Sequence, residues 1–120
     1  MLLSEIKSIL NADILSGESD DALMGKDIHT ACGCDLMSDV LAFAKNQAIL
    51  VTGLMNPQVI RTAEMMDMKC IVFVRSKMPS DEMVNLAESC SIVLLSTDML
   101  MFETCGVLFT KGLIGKGDTQ

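Results

Sequence analysis

Residues 47–109 read QAILVTGLMNPQVIRTAEMMDMKCIVFVRSKMPSDEMVNLAESCSIVLLSTDMLMFETCGVLF, and they repeat one pattern three times: a short apolar run, a polar turn and a helix-like segment. The apolar runs begin at Ile49, Ile71 and Ile92, at intervals of 22 (71 − 49) and 21 (92 − 71) residues. Such an interval accommodates one strand and one crossover helix, and helical crossovers join neighbouring parallel strands. The runs are apolar at consecutive positions, which is typical of strands buried on both faces. The stretch therefore predicts an α/β fold, three-layer α/β/α, with a mainly parallel sheet built from successive strand-helix units.

Local signals mark where two of these helices begin. Asn56 suits the N-cap of the first, and Pro57 suits its first helical position, where a missing N–H costs nothing. Ser80 is the predicted cap of the second helix, and Asp81 and Glu82 place negative charge in its first turn, where it complements the helix dipole.

Two more helices and two more strands are predicted before the repeats. Leu3, Ile6 and Leu10 share one face of a helix over Leu2–Leu10. The other predicted elements are a strand over Ala12–Leu15 ending at Ser16-Gly17, a solvated turn over Glu18–Asp21 and a strand over Asp27–Gly33. A second helix is predicted from about Asp35, whose side chain is expected to cap the first turn. The predicted buried face of this helix consists of Met37, Val40, Leu41 and Ala44.

The length of the chain predicts a single domain. We place it over residues 1–113, followed by a glycine-rich, polar tail over 114–120 that we expect to be flexible. No apolar run approaches the roughly 20 residues of a membrane helix. The N-terminal residues show neither the basic region nor the cleavage site of an export signal. We therefore expect a cytoplasmic protein that does not bind membranes.

Charge and aromatic content argue against nucleic acid as a partner. The formal net charge is −7, from 16 Asp and Glu against 9 Lys and Arg, and the basic residues are dispersed along the chain. A phosphate backbone would be repelled. The chain has neither Trp nor Tyr, and most of its four phenylalanines, Phe43, Phe73, Phe102 and Phe109, lie inside apolar segments, so a stacking platform for bases is not expected.

The sulfur-containing residues predict packing rather than a metal or cofactor site. Five cysteines are an odd number in a chain without an export signal, which favours free thiols. Cys70, Cys90 and Cys105 fall at apolar positions and are expected to act as small hydrophobic side chains. Eleven methionines indicate a core filled by flexible, unbranched side chains. We expect neither a bound metal nor a cofactor.

The candidate ligand site lies in the turns that follow the three repeated strands. In an open parallel sheet, ligands bind where the carboxyl ends of strands meet helix N-termini with unpaired N–H groups. Hydroxyls and Asn in such turns are also ordinary helix caps, whereas a cap does not require a cation, so the arginine is the most discriminating residue. The residues that this interpretation assigns to an anion or phosphate site are Thr52, Gly53, Asn56, Arg75, Ser76, Ser96 and Thr97.

Three other patterns suggest chemistry less strongly. On strand alternation His29 shares a face with Ala31 and Gly33, opposite Cys32 and Cys34, which disfavours a Cys-His catalytic pair, and two cysteines lack the second pair of a zinc ribbon. The segment Gly112–Gly117 has misplaced glycines and neither Ser nor Thr after Lys116, so we do not interpret it as a phosphate loop. Asp35 and Asp39, one helical turn apart, suit a hard cation less than they suit a cap and a solvated face.

Five short segments resemble a known domain family. They are Cys34–Val40, Asn56–Ile60, Ile71–Val74, Leu95–Thr97 and Phe102-Glu103. In these segments, and from the first helix to Leu113, the chain resembles a stand-alone DRTGG domain, a family similar to the N-terminal domain of HPr kinase/phosphorylase. The Asp-Arg and Thr-Gly-Gly that name the family are not found near Met55-Asn56 and Val74-Arg75-Ser76.

The resemblance implies a small α/β module, commonly dimeric, that regulates or senses a ligand and has no catalysis of its own. Kinase activity is not implied, because in HPr kinase it belongs to a separate domain with a phosphate loop. Our first hypothesis is a regulatory module that binds a small anionic or phosphorylated metabolite around Gly53, Arg75 and Thr97. The alternative is a homodimeric interaction protein that docks on a metabolic enzyme without a small ligand, since half of the residues are hydrophobic. An enzyme ranks third, because a nucleophile, a base and an orienting group cannot be placed together.

Overall fold

The computed structural model describes residues 1–16 and 21–115. Within them, helices and strands alternate along the chain, as expected from the repeats. The helices are α1 (Leu3–Ile9), α2 (Asp21–Met24), α3 (Met37–Phe43), α4 (Pro57–Met65), α5 (Asp81–Ser89) and α6 (Met101–Thr110), and the strands are β1 (Asp13–Ser16), β2 (Ala31–Gly33), β3 (Ile49–Thr52), β4 (Cys70–Phe73) and β5 (Val93–Ser96).

The five strands form one sheet in the order β1-β5-β4-β3-β2. Strands β2 to β5 are parallel, with Ile49 opposite Cys70 and Cys70 opposite Val93, while β1 pairs antiparallel with β5. Each parallel step moves in the same direction across the sheet. Because such crossovers are right-handed, their helices α3, α4 and α5 all pack on one face. The predicted mainly parallel sheet is confirmed.

Two hydrophobic clusters lie on opposite faces of the sheet, so the fold has three layers. Alternate strand residues point to each side: Val51 and Val72 pack with α1, α2 and α6, whereas Leu50 and Ile71 pack with α3, α4 and α5. Phe73 is completely buried in the second cluster. Among the described residues, three methionines are buried in the core, and Ile, Leu and Val supply most of the rest, so methionine fills less of the core than expected.

Four helices end in the same way, which brings the chain back to the sheet within two residues. After α6, Gly112 adopts a φ of 108°, and the N–H of Leu113 donates to Leu108 O at 3.1 Å. This is a Schellman motif, in which a left-handed residue lets the last helical carbonyls be paired. The same pattern of hydrogen bonds ends α1, α4 and α5 around Asn11, Asp67 and Ser91, all with positive φ. The segment around Gly112 thus serves as a helix stop.

Several local expectations need correction. Asp35 does not cap its helix: α3 begins after Leu36, which makes no side-chain cap bond, and the Asp35 carboxylate is used elsewhere. Leu41 is 37% exposed and lies outside the buried stripe. The predicted strand over Asp27–Gly33 is reduced to β2, which is preceded by isolated bridges at Asp27 and Thr30. The caps Asn56 and Ser80 are confirmed, since they accept the N–H groups of Gln58 and Met83.

Two further differences concern the ends of segments. Helix α2 begins at Asp21, within the predicted turn, whose remaining residues 18–20 lie outside the described part of the chain. Ile114 and Gly115, assigned to a flexible tail, instead extend the sheet edge. Ile114 exchanges hydrogen bonds with His29 and Ala31, and Gly115 O accepts from Gln47. Residues 116–120 lie outside the described residues.

Candidate functional site

The turns after β3 and β4 bring Gly53 and Arg75 together. Gly53 is buried and Arg75 is exposed, and the arginine side chain lies directly over the glycine. A Cβ built on Gly53 would be 2.8 Å from one terminal guanidinium nitrogen of Arg75, so a side chain at position 53 would force the end of the arginine to move. The absence of a side chain at position 53 therefore makes room for this cation at the strand ends.

The backbone at Arg75 is held in an uncommon conformation. Arg75 and Ser76 have φ values of 60° and 57°, in the left-handed region that non-glycine residues seldom adopt. Their N–H groups donate to the carbonyls of Met99 and Thr97 at 2.9 and 2.8 Å, so the segment after β5 fixes the turn after β4. Such strain persists only where surrounding structure imposes it, and it concentrates at functional sites.

The Arg75 guanidinium is available for a ligand. Across residues 1–16 and 21–115, the ion pairs join Met1 and His29 to Asp27 and Lys69 to Asp67, and none involves Arg75. Within the same residues, no side-chain hydrogen bond engages the guanidinium. A planar, permanently charged group that is exposed at the strand ends is well suited to bind a carboxylate or phosphate in a bidentate manner.

The end of β3 already holds an anion that belongs to the protein. One Asp35 carboxylate oxygen accepts the Thr52 hydroxyl and the Gly53 N–H, both at 2.8 Å. The Thr52 hydroxyl in turn accepts the N–H of Leu54 at 3.2 Å. The Thr52 hydroxyl and the Gly53 N–H therefore already have an acceptor, so fewer of the predicted groups are left to bind a ligand.

The remaining predicted site residues are bonded to the fold itself. Ser76 takes part through its backbone, as described above, and the side chains of the others have neighbours within the chain. Asn56 Oδ1 accepts the Gln58 N–H at 2.9 Å, Ser96 Oγ donates to Lys77 O at 2.9 Å, and the buried Thr97 Oγ1 donates to Leu10 O at 2.8 Å. Of the seven predicted residues, Arg75 and Ser76 are exposed, and their side-chain polar groups have no hydrogen-bond partner among residues 1–16 and 21–115.

The cysteines and the histidine do not form a catalytic pair. His29 Nε2 lies 3.2 Å from Asp27 Oδ2, and its side chain is 74% exposed. Cys32 and Cys34 pack toward the other face of the sheet, as strand alternation predicted. Burial raises the pKa of the Cys32 thiol to about 11, so this thiol stays protonated at neutral pH. Among the described residues no three His, Cys, Asp or Glu side chains are arranged to hold a metal ion.

A second surface feature was not found from the sequence. A groove of about 450 Å³ runs between β2 and α6, and Phe102 and Phe109 on α6 are 85% and 71% exposed beside it. Gly106 lies midway between them, and a Cβ built on it would have no neighbouring atom within 4 Å. The signal was present in the sequence: the 102–106–109 spacing is a helical stripe separate from the buried Thr104 and Leu108. We name this stripe the α6 face.

The protein is a small, single-sheet α/β/α domain with an exposed arginine at its strand ends and an apolar stripe on α6. No helix in the described residues has the length and apolar character needed to cross a bilayer. The sequence matches no protein-family profile and no curated protein.

A solved structure has a similar fold. It is the crystal structure of the CBS and DRTGG domains from the regulatory region of Clostridium perfringens pyrophosphatase, in complex with the activator diadenosine tetraphosphate. The TM-score is 0.72 with 15% sequence identity, and the match covers 98% of this chain. The chain spans about half of that structure's length, 51%. The match agrees with the DRTGG-like architecture implied by the sequence resemblance.

Proposed function

We propose that this protein is a non-catalytic regulatory module that senses a small anionic or phosphorylated metabolite at the carboxyl ends of its strands in the cytoplasm. The observation that carries the proposal is the exposed guanidinium of Arg75, which lies beside Gly53 and has no partner among residues 1–16 and 21–115. The ligand would contact Arg75 first, with the β3 and β4 turns forming the floor. Structural similarity supports this role, since the pyrophosphatase region of similar fold regulates an enzyme and is seen with a polyphosphate activator.

The strained turn gives the proposal a mechanical basis. Holding Arg75 in the left-handed region costs roughly 1 kcal/mol, and the bonds to Met99 and Thr97 offset this cost. The guanidinium is thereby positioned before a ligand arrives, which reduces the entropy lost on binding. Because these bonds also join the turn to the start of α6, an occupied site would be coupled to that helix.

Replacing Arg75 with glycine is expected to weaken ligand binding without weakening the fold. The variant removes the cation and relieves the backbone strain, so the free energy of unfolding should stay equal or rise by up to about 1 kcal/mol. Hydrogen bonds to a charged group contribute about 1.5–3 kcal/mol, so ligand affinity should fall roughly 10- to 100-fold. Isothermal titration with orthophosphate, mononucleotides and diadenosine tetraphosphate measures the affinity, and chemical denaturation measures the stability.

Ser76→Gly is the matched control for this experiment. It makes the same backbone change one residue along, since Ser76 has a φ of 57°, and it keeps the guanidinium. We expect unchanged affinity in this variant. Equal losses in the two variants would show that the turn's conformation or the Ser76 hydroxyl, and not the cation alone, carries binding. A wild-type protein whose melting temperature responds to none of these anions would contradict the sensing function, because a ligand at 100 times its Kd stabilises a fold by about 2.7 kcal/mol.

A second candidate function, a homodimeric interaction protein that docks on a metabolic enzyme, is supported by the α6 face. Exposed phenylalanines on one helical stripe are unusual on a monomer's surface and typical of interfaces. Two copies of the stripe are able to pack antiparallel about Gly106, with Phe102 of one copy near Phe109 of the other. Such an arrangement is self-complementary, as a two-fold interface requires.

The double variant Phe102→Asp/Phe109→Asp is expected to weaken self-association at least about 100-fold. Each phenylalanine contributes roughly 1.5–3 kcal/mol when buried, and introducing carboxylates adds repulsion across the two-fold axis. Met65→Asp is the control, because Met65 is 69% exposed on α4, on the other side of the sheet. Sedimentation equilibrium measures the dimer constant. A wild-type protein that is monomeric at 100 times the concentration used for ligand binding would remove this candidate.

A further inference from the structure

A hollow of about 520 Å³ lies at the amino ends of β3 and β4, the end of the sheet away from Arg75. We name it the amino-end hollow. Its wall includes Gln47 just before β3, Met66 after α4, and Ile114 at the sheet edge. Its volume falls in the range of small-molecule sites. Because the anion site lies at the carboxyl ends of the strands, an inference about this hollow is independent of the proposed function.

Gln47 contributes a polar atom that the described residues leave unused. The side chain is 3% exposed, yet its Oε1 has no hydrogen-bond partner in residues 1–16 and 21–115. The orientation of the amide is fixed by its other end, since Nε2 donates to Gly115 O at 2.6 Å and to Lys45 O at 3.4 Å. A flipped amide would place Oε1 against two carbonyl oxygens. A buried acceptor without a donor destabilises a protein, so a donor from outside the described residues is expected.

The charged groups at the mouth of the hollow are already paired. Asp27 accepts the Met1 amino group at 2.7 Å and lies 3.2 Å from His29 Nε2, and Asp67 pairs with Lys69 at 3.1 Å. A charged ligand would therefore find no uncompensated partner among these groups. The remaining surface is suited to an apolar body, with Met66 on one side and the exposed ring of His29 available to stack on a flat molecule.

We propose that the amino-end hollow binds an uncharged, flat molecule that carries an amide-type N–H donor. The donor would bond Gln47 Oε1, and the apolar body would lie against Met66 and Ile114. Gln47 Oε1 exposes less than 1 Å², so a ligand would reach it through rotation about the broad terminal torsion of the side chain, with Nε2 keeping Gly115 as its acceptor. A neutral ligand is favoured because a charged ligand would lose its hydration, and the paired charges at the mouth of the hollow would not compensate for this loss.

Benzamide is the probe of choice, because three molecules of nearly the same shape test each part of the proposal. Acetophenone lacks the N–H donor, whereas benzoate and benzamidinium carry a negative and a positive charge. The side-chain amide signals of Gln47 in nitrogen-resolved NMR spectra report binding directly. We expect benzamide to shift them with a Kd on the order of 1 mM, and each of the other three to bind at least about 10-fold more weakly.

Variants test whether the acceptor itself is responsible. Gln47→Met keeps the shape of the side chain and removes the acceptor, so benzamide affinity should fall about 10-fold, followed on the backbone signals of Ala48. Gln58→Met is the matched control, because Gln58 is exposed on α4 and outside the hollow, and its affinity should not change. If Gln47→Met does not fold, the comparison of benzamide with acetophenone on the wild type decides.

Three results would overturn the proposal. Equal affinities for benzamide and acetophenone would show that no donor is recognised. Tighter binding of benzoate or benzamidinium would show that the mouth selects charge. A Gln47 amide that contacts a long-lived water in the spectra, and that benzamide does not shift, would show that an ordered water alone satisfies Oε1.

Discussion

Replacing Phe73 with alanine is expected to lower the free energy of unfolding by about 3–5 kcal/mol. Phe73 lies on the central strand β4, is completely buried, and packs in the cluster beneath α3, α4 and α5. The truncation removes most of the side chain from a region where neighbours on β3 and β5 are held by hydrogen bonds and move little to fill the space. Since domains of this size are stable by about 5–15 kcal/mol, this loss is a large share of the total free energy of unfolding. Chemical denaturation at 25 °C measures the difference.

Phe102→Ala is the control for this prediction. The same atoms are removed from a side chain that is 85% exposed, so stability should change by less than about 0.5 kcal/mol. A loss of similar size in both variants would mean that Phe102 is buried in the protein in solution, as it would be in a dimer. Repeating the measurement at several protein concentrations separates the two cases, because the stability of a dimer depends on concentration.

Replacing Thr97 with valine is expected to cost about 1–3 kcal/mol. The Thr97 hydroxyl donates to Leu10 O at 2.8 Å and lies 3.3 Å from the N–H of Met99, with its side chain 1% exposed. Valine has the same shape but leaves the carbonyl of Leu10 without this donor in a buried place. The loss is measured as a shift in the denaturation midpoint with an unchanged m-value.

Thr97→Ser distinguishes the hydrogen bond from packing. It keeps the hydroxyl and removes one methyl group, so it should retain most of the stability that valine loses. If serine destabilises the protein as much as valine does, the methyl group and not the hydroxyl is what matters at this position. The same pair also bears on the proposed site, because Thr97 O accepts the Ser76 N–H that holds the strained turn.

The parts of the fold that could be predicted from the sequence are those that neighbouring residues determine. Strands β3, β4 and β5 are short, continuous apolar runs. The side chains of Asn56 and Ser80 accept backbone N–H groups two and three residues further along the chain. Helix α2 was missed because four residues are too few to show a helical period. The sequence could not show that Phe102 and Phe109 are exposed, because an apolar segment does not reveal which face of its helix meets the sheet.

The sequence could predict where the candidate site lies in the sheet, but not which contacts its residues make. The sequence could place Arg75 at a strand end, because the apolar run before it is clear. It could not show the contact with Gly53 or the left-handed backbone, since both depend on the neighbouring turn and on residues after β5. Asp35 was taken for a helix cap because that role is local, whereas its actual partners, Thr52 and Gly53, are 17 and 18 residues away.

The antiparallel pairing of β1 with β5 has a consequence for synthesis of the chain. Asp13 lies opposite Ser96, so the sheet edge formed by the first strand is completed only by a strand from the far end of the domain. A nascent chain that has emerged through β4 would expose an unpaired edge and an unfilled face where α6 later packs. Native structure at the amino terminus is therefore expected to appear late, after residue 97 has left the ribosome, and stalled shorter chains should be sensitive to protease in this region.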